Sequence, residues 1–277
     1  MKSTISQKDI DAYQENGFIV IEDFLSKAEL EEWREAIDTA VAKRNGYKLP
    51  GRESVYGKGD DKDKDYYDKV FDQLLNLWQD NENVKRLILD ERIGKMAAEL
   101  SGVNAIRVWH DQALIKKPWA NPTSWHLDTP YWSMSDRRPL SIWVALDDAT
   151  TENGCLYFIP GSHKKTTFEN PGIGKNMDAV FNFYPEFRNT KPFVASMKAG
   201  SCSFHCGLTI HGANANMTPG YRRAMTCAYM PDGCTFNGTQ NILSDEQVAK
   251  MKIGDLLNDP RQNPLIYSRV TSFSPAQ

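Results

Sequence analysis

His126 and Asp128 stand one residue apart in Thr123-Ser-Trp-His-Leu-Asp-Thr-Pro-Tyr-Trp132, and a third metal-competent side chain, His211, lies far downstream, followed by Arg222 and Arg223. On an extended strand, residues i and i+2 project to the same face, roughly 6.6 Å apart, so His126 and Asp128 can reach one ion. Imidazole nitrogen and carboxylate oxygen suit ferrous iron, manganese or zinc by ligand type, and two histidines with one carboxylate on one face of an iron leave three positions open for oxygen and a co-substrate. His-x-Asp alone is a short and common pattern. Its meaning depends on what the fold brings to it.

The downstream context supplies that meaning. Ser201–His211 reads as a strand ending at the histidine, Gly212–Gly220 is rich in turn formers, and Tyr221–Met230 reads as a return strand. A hairpin of this shape brings an arginine back near His211. Adjacent arginines face opposite ways on a strand, so one can point inward, and parity leaves open which. A buried guanidinium needs an anionic partner, which the far carboxylate of 2-oxoglutarate would supply in bidentate geometry. His110, His163 and His205 read as structural, with His205 sharing strand parity with His211 and so placed to hydrogen-bond a metal ligand.

The elements that must position these residues follow from caps and periodicity. Ser6-Gln-Lys-Asp9 and Ser26-Lys-Ala-Glu29 each offer a capping hydroxyl with an acid three residues on. Between them Gly17–Phe24 reads as a short β-branched strand. Leu30, Trp33, Ile37 and Val41 recur at helical spacing within Ala28–Lys43. Residues 44–65 read as a loop with a solvated mixed-charge run, and helical patterns resume over Asp68–Trp78 and Glu82–Leu100. From Ala105 short β-rich runs dominate: Ala105–Lys117, Leu140–Asp147, Cys155–Pro160, Phe193–Met197, Ser201–His211 and Arg222–Met230. Several strands without intervening helices predict a sandwich or jelly roll, here with helices packed outside it. The expectation is one domain over 1–277: a helix-rich part at 1–104, a β core at about 105–235 and a C-terminal extension.

Composition sets outer bounds. The 277 residues carry a formal net charge of -3, so no global field recruits nucleic acid or an acidic membrane. No apolar run approaches a membrane span, and the N-terminus lacks the apolar core of a secretory leader, which predicts a cytoplasmic protein acting on a small molecule, as monomer or homodimer. The five cysteines include no Cys-x-x-Cys pair, and read as small core residues rather than a disulfide framework.

The motifs together resemble the phytanoyl-CoA dioxygenase family of iron(II)- and 2-oxoglutarate-dependent oxygenases. The resemblance spans nearly the whole chain: Tyr13-Gln-Glu-Asn-Gly-Phe-Ile-Val, His126-Leu-Asp128, Trp143-Val-Ala-Leu-Asp-Asp, Asn153-Gly-Cys-Leu-Tyr-Phe-Ile-Pro-Gly-Ser-His163, Leu208-Thr-Ile-His211 and Tyr221-Arg-Arg-Ala224. It implies a mainly β fold with flanking α-helices around a double-stranded β-helix (jelly roll, cupin-like) core. It implies Fe(II) held by His126, Asp128 and His211, with 2-oxoglutarate and O2 as co-substrates and Arg222 anchoring 2-oxoglutarate. Lys69, Lys117 and Trp143 resemble further co-substrate contacts. The sequence departs from some members at Ala213, where they carry a hydroxyl residue, and at Leu156, where others carry threonine. Related halogenases replace the carboxylate with a small residue, so Asp128 favours oxygen transfer and points to hydroxylation of a C–H bond with release of succinate and CO2.

Candidate substrate contacts are Trp125, Tyr131 and Trp132 beside the motif and Asp111 on the preceding strand. Residues 168–190 read as a lid. Two other classes fit the same ligand types: a cupin-type metal enzyme that uses no 2-oxoglutarate, and a catalytically silent binding protein of the same fold.

Overall fold

Two antiparallel sheets face each other in the computed structural model, which describes residues 1–44, 49 and 64–269. The first helix, α1 (Gln7–Asn16), starts at the expected capping box: Asp9 N–H donates to Ser6 Oγ, and Ser6 N–H to Asp9 Oδ2. It stops at Gly17, whose φ of 84° is a left-handed conformation only glycine adopts cheaply. The chain then enters β1 (Phe18–Ile21) directly. A second Ser–Glu reciprocal pair, Ser26 with Glu29, opens α2 (Lys27–Arg44), which buries Leu30, Trp33 and Ile37, while Val41 packs half-buried at the edge of the same core.

The next stretch departs from its helical pattern. After a single turn, α3 (Lys64–Tyr67), residues Asp72–Leu75 form strand β2 rather than a helix. They pair with Gln112–Ile115 of the long strand β3 (Ala105–Lys116), so ladder hydrogen bonds override a local apolar spacing. The expected helix at Glu82–Leu100 is two: α4 (Glu82–Ile88) and α5 (Glu91–Ser101). Asp90 lies between them and caps the second through Arg92 N–H. The expected 44–65 loop lies almost wholly outside the described residues.

The remaining strands are β4 (Thr123–His126), β5 (Leu140–Ala145), β6 (Leu156–Phe158), β7 (Phe193–Ala195), β8 (Cys202–Cys206), β9 (His211–Ala213), β10 (Arg222–Pro231) and β11 (Leu265–Ser268), with a short helix α6 (Asp245–Lys250) before the last. The larger sheet runs β1-β8-β5-β10-β3-β11, with β2 also on β3; the smaller runs β4-β9-β6-β7. This is a mixed α/β, double-stranded-β-helix-like architecture. No closed jelly-roll barrel forms among the described residues, which corrects the simple jelly-roll expectation: strands of three or four residues in the small sheet are too short to close one. Strands β1 and β2 come from the helix-rich part and β11 from the C-terminal extension.

The helices cover the outer face of the large sheet through a core of Trp33, Ile37, Ile88, Met96, Val108, Phe204 and Tyr229. All five cysteines are buried free thiols. The run Ser201–His211 is not one strand. The chain leaves the large sheet after Cys206, turns, and enters the small sheet at His211. Likewise β9 and β10 are not a hairpin but lie in opposite sheets.

Candidate active site

The crossing between sheets is what assembles the site. In the small sheet His126 of β4 is the direct cross-strand partner of His211 of β9, so both imidazoles leave the same face of adjacent strands, with ring centroids 4.2 Å apart. Asp128 follows just past the end of β4, where its backbone N–H donates to Gly207 O. Its Oδ1 lies 3.6 Å from His126 Nε2 and 3.7 Å from His211 Nε2. One ligand atom from each of the three lies within 4.8 Å of the others, close enough for one ion to draw in all three.

The protonation pattern suits a metal. His126 Nδ1 faces Ser124 O at 2.8 Å and His211 Nδ1 faces Thr209 O at 2.9 Å. A carbonyl only accepts, so both Nδ1 atoms carry the proton and both Nε2 lone pairs point into the site. Burial, with His126 beside it, pushes His211 down to about 3, so it stays a neutral ligand. Burial raises the pKa of Asp128, but His211, His126 and His205 together outweigh it and hold the carboxyl well below its usual range. His205 Nε2 donates to Asp128 Oδ2 at 3.3 Å. The residue placed by parity beside His211 thus orients the carboxylate, although it sits on β8 in the facing sheet.

A cavity of about 130 Å³ opens beside this cluster. Arg222, at the start of β10, lines it and is only 2 % exposed, whereas Arg223 turns outward to Asp147 and Asp38. The choice that strand parity left open is thereby made by the fold. The Arg222 guanidinium lies 5.2 Å from the Trp143 ring centroid, and its Nε and Nη1 have no hydrogen-bond partner among the described residues. Burial lowers its pKa to about 10, which leaves it charged at neutral pH. Ala213 and Leu156, the two departures noted in the sequence, are cross-strand partners in the wall beside it. Tyr131 and Trp132 line the cavity as well.

Four expected contacts lie elsewhere. Asp111 faces the opposite side of β3, fully buried, and accepts from Leu77 and Trp78 N–H at 2.7 and 2.8 Å; it caps the start of the 3-10 turn Leu77–Gln79. Lys117 is exposed and ion-paired with Asp72 at 2.9 Å. Lys69 is exposed on the turn before β2 and is absent from the cavity wall. Trp125 faces away from the cavity, toward Tyr157 and Phe181. Conversely His110, taken as structural, lines the cavity with Gln112 and Leu114. Burial lowers its pKa to about 4, so it is uncharged. Alternation along β3 explains the placement of His110 and Asp111: residues 110, 112 and 114 face inward, and 111 does not. Gln73, Ser141, Thr226 and Asn241 complete a neutral polar wall that no local motif marks.

A 2-His-1-carboxylate cluster facing an inward arginine across a double-stranded-β-helix-like fold defines the class of 2-oxoglutarate-dependent oxidative enzymes. The phytanoyl-CoA dioxygenase family matches residues 13–224, and the chain belongs to that family. It is 27% identical to the peroxisomal phytanoyl-CoA dioxygenase of Mus musculus, over 80% of this chain and 67% of that one. It is 26% identical to a phytanoyl-CoA dioxygenase domain-containing protein 1 homolog of Caenorhabditis briggsae, covering 86% of this chain and 95% of that one. Among solved structures, the α-ketoglutarate-dependent carbocyclase SnoK of nogalamycin biosynthesis aligns with a TM-score of 0.75 and 25% identity, covering 96% and 98% of the two chains. EctD of S. alaskensis, solved with 2-oxoglutarate and 5-hydroxyectoine, shares the fold at 21% identity and a TM-score of 0.66.

One expectation is overturned by these relatives. The mouse, human, rat and bovine proteins are peroxisomal, so the cytoplasmic assignment, argued from the lack of an apolar leader and of a membrane-length apolar run, does not stand. Among the described residues no helix is long and apolar enough to cross a membrane.

Proposed function

We propose that this chain is an Fe(II)- and 2-oxoglutarate-dependent oxygenase that hydroxylates a C–H bond of a small molecule. The observation that carries the reading is the convergence of His126, Asp128 and His211 on one point, with Arg222 unpartnered across the same cavity. When bound, iron with 2-oxoglutarate supplies oxygen activation coupled to release of succinate and CO2. The chain supplies the rest. His126 and His211 present Nε2 lone pairs, Asp128 brings the charge, and His205 fixes the carboxylate orientation. Arg222, with no acidic partner among the described residues, holds the far carboxylate of the co-substrate, and Trp143 covers the guanidinium.

Tyr131, Trp132 and His110 line the remaining space and position substrate. That space is compact and, among the described residues, its wall has no cluster of basic side chains, which favours a small, largely uncharged substrate over one bearing a CoA phosphate. We place the whole chain in one catalytic domain. The relatives named for carbocyclase and epimerase reactions mark the competing outcome, in which the same oxidation ends without oxygen in the product. The test is a metabolite-library screen for substrate-stimulated succinate formation, followed by mass analysis of the product under 18O2. A product bearing one 18O atom supports hydroxylation. Succinate with a cyclised or epimerised product lacking 18O assigns the other outcome, and turnover without succinate overturns the 2-oxoglutarate reading.

A further inference from the structure

Lys116 is a buried lysine that the reading above leaves without a task. It lies on β3 directly opposite Arg222 on β10, so the two side chains leave the same face of the large sheet. It is 0 % exposed. Its Nζ donates to Asn121 O at 2.6 Å and to Val70 O at 3.2 Å, and it sits 5.9 Å from the ring centroid of Phe71, which lines the cavity while Lys116 itself stands behind the wall. An ammonium has three donors, so one N–H is not engaged by these carbonyls. Among the described residues no carboxylate pairs with either cation: Asp147 is taken by Arg223 and Asp72 by Lys117. Protonating Lys116 beside Arg222 would bury two adjacent cations with no counter-ion, a costly arrangement unless an anion completes it. The wall beside them is apolar where a hydroxyl could have helped, since Ala213 and Leu156 carry none.

We propose that Lys116 is a second cationic anchor for the co-substrate, binding the far carboxylate of 2-oxoglutarate together with Arg222 and replacing the hydroxyl contact that Ala213 lacks. This rests on the 2-oxoglutarate reading. The electrostatics agree with it: burial, with Arg222 nearby, brings Lys116 down to about 6, so at pH 7.5 it is mostly neutral until an anion arrives. A bound carboxylate raises that value, and the lysine takes up a proton. The other charged groups around it hold their state through this window. Arg222 stays protonated, Asp147 is held ionised despite its burial by Arg223, and burial keeps the Cys155 thiol protonated.

The experiment titrates the Fe(II)-loaded protein, without oxygen, with 2-oxoglutarate and with 2-oxobutanoate, a 2-oxo acid lacking the far carboxylate. Lys116→Met is expected to weaken 2-oxoglutarate binding about tenfold or more, as loss of a charged hydrogen bond does, and to leave 2-oxobutanoate binding unchanged. Unchanged 2-oxoglutarate affinity, or equal weakening for both acids, overturns the proposal and leaves Lys116 a structural prop. A variant-free readout stands beside this: calorimetry of the wild-type protein at pH 7.5 in buffers of different ionisation heat. Net proton uptake with 2-oxoglutarate but not with 2-oxobutanoate supports the anchor, and no uptake refutes it. If the wild-type protein binds 2-oxobutanoate but discriminates against neither acid, the anchor fails while a 2-oxo acid site survives. If it binds neither, the 2-oxoglutarate reading fails with it.

Discussion

The charge of Asp128 is the only negative one among the three converging side chains, so its removal tests the metal site most directly. Asp128→Ala is expected to abolish succinate-coupled oxidation and to weaken Fe(II) binding by more than the roughly 10–100-fold that loss of an outer hydrogen-bonding partner causes; metal titration and a succinate assay check this. His205→Leu removes only the donor to Asp128 Oδ2, so its expected loss of metal affinity is within about 10–100-fold, with His205→Gln restoring part of it. Equal affinities for wild type and His205→Leu would show the hydrogen bond to be idle. Asp111 belongs to stability rather than catalysis. Burial raises its pKa to about 7, against which the Trp78 and Leu77 amides act only in part. Below about 3.8 both folded and unfolded forms are protonated, and nothing is lost. Between there and 7 only the unfolded form releases its proton, so stability falls as pH rises across that window. The melting temperature is therefore expected to fall from pH 5 to pH 8, with a shallower slope in Asp111→Asn. An identical slope in the variant would remove Asp111 as the cause.

At the scale of elements, the site depends on joints as much as on strands. Gly17 is the joint between α1 and β1, and its carbonyl accepts from Cys206 N–H and Thr209 Oγ1 beside the turn that carries the chain to His211. A Cβ there would stand 2.4 Å from Thr209 Oγ1 and 2.5 Å from His163 Nδ1. Gly17→Ala combines that clash with a left-handed φ, worth about 1–3 kcal/mol for the backbone alone, and should lower the midpoint of chemical unfolding accordingly. The same joint marks the limit of what was legible in the chain. The capping boxes at Ser6 and Ser26, the strand beginning at Ala105 and the order of ligands could be read directly, because caps and alternation are local. The switch of sheet between Cys206 and His211 could not, since both halves are β-prone and only long-range pairing with β1 and β4 decides where each belongs. Nor could Lys116 be told from Lys117, or His110 from Asp111. Neighbouring residues on a strand differ only in face, and the face of β3 is set by its pairing with β10.

The whole molecule decides how far water reaches the site. Residues 168–190 lie against the small sheet: Trp125 N–H donates to Met177 O at 3.2 Å, and the Trp125 ring packs on Phe181 at 5.9 Å. Ile173 from this segment lines the cavity, while Tyr184 Oη ties its start by donating to Glu169 O at 2.8 Å. Trp125, first read as a substrate contact, thus acts from behind β4 as a mooring for the covering segment. Phe181 is buried, and losing a buried phenyl ring costs about 3–5 kcal/mol of local packing. That cost falls on the attachment of the segment rather than on the sheets, because Phe181 meets the small sheet through Trp125. Local opening of such a segment admits water without unfolding the protein. Phe181→Ala is therefore expected to leave Fe(II) and 2-oxoglutarate affinities within about twofold, since none of their candidate ligands moves, and to raise succinate formation that is not matched by oxidised product. The ratio of succinate to product, measured with the substrate found by screening, reads this directly. An unchanged ratio would mean the segment does not shield the site, and a parallel fall in metal affinity would mean that Trp125 supports the ligands of β4 rather than the cover.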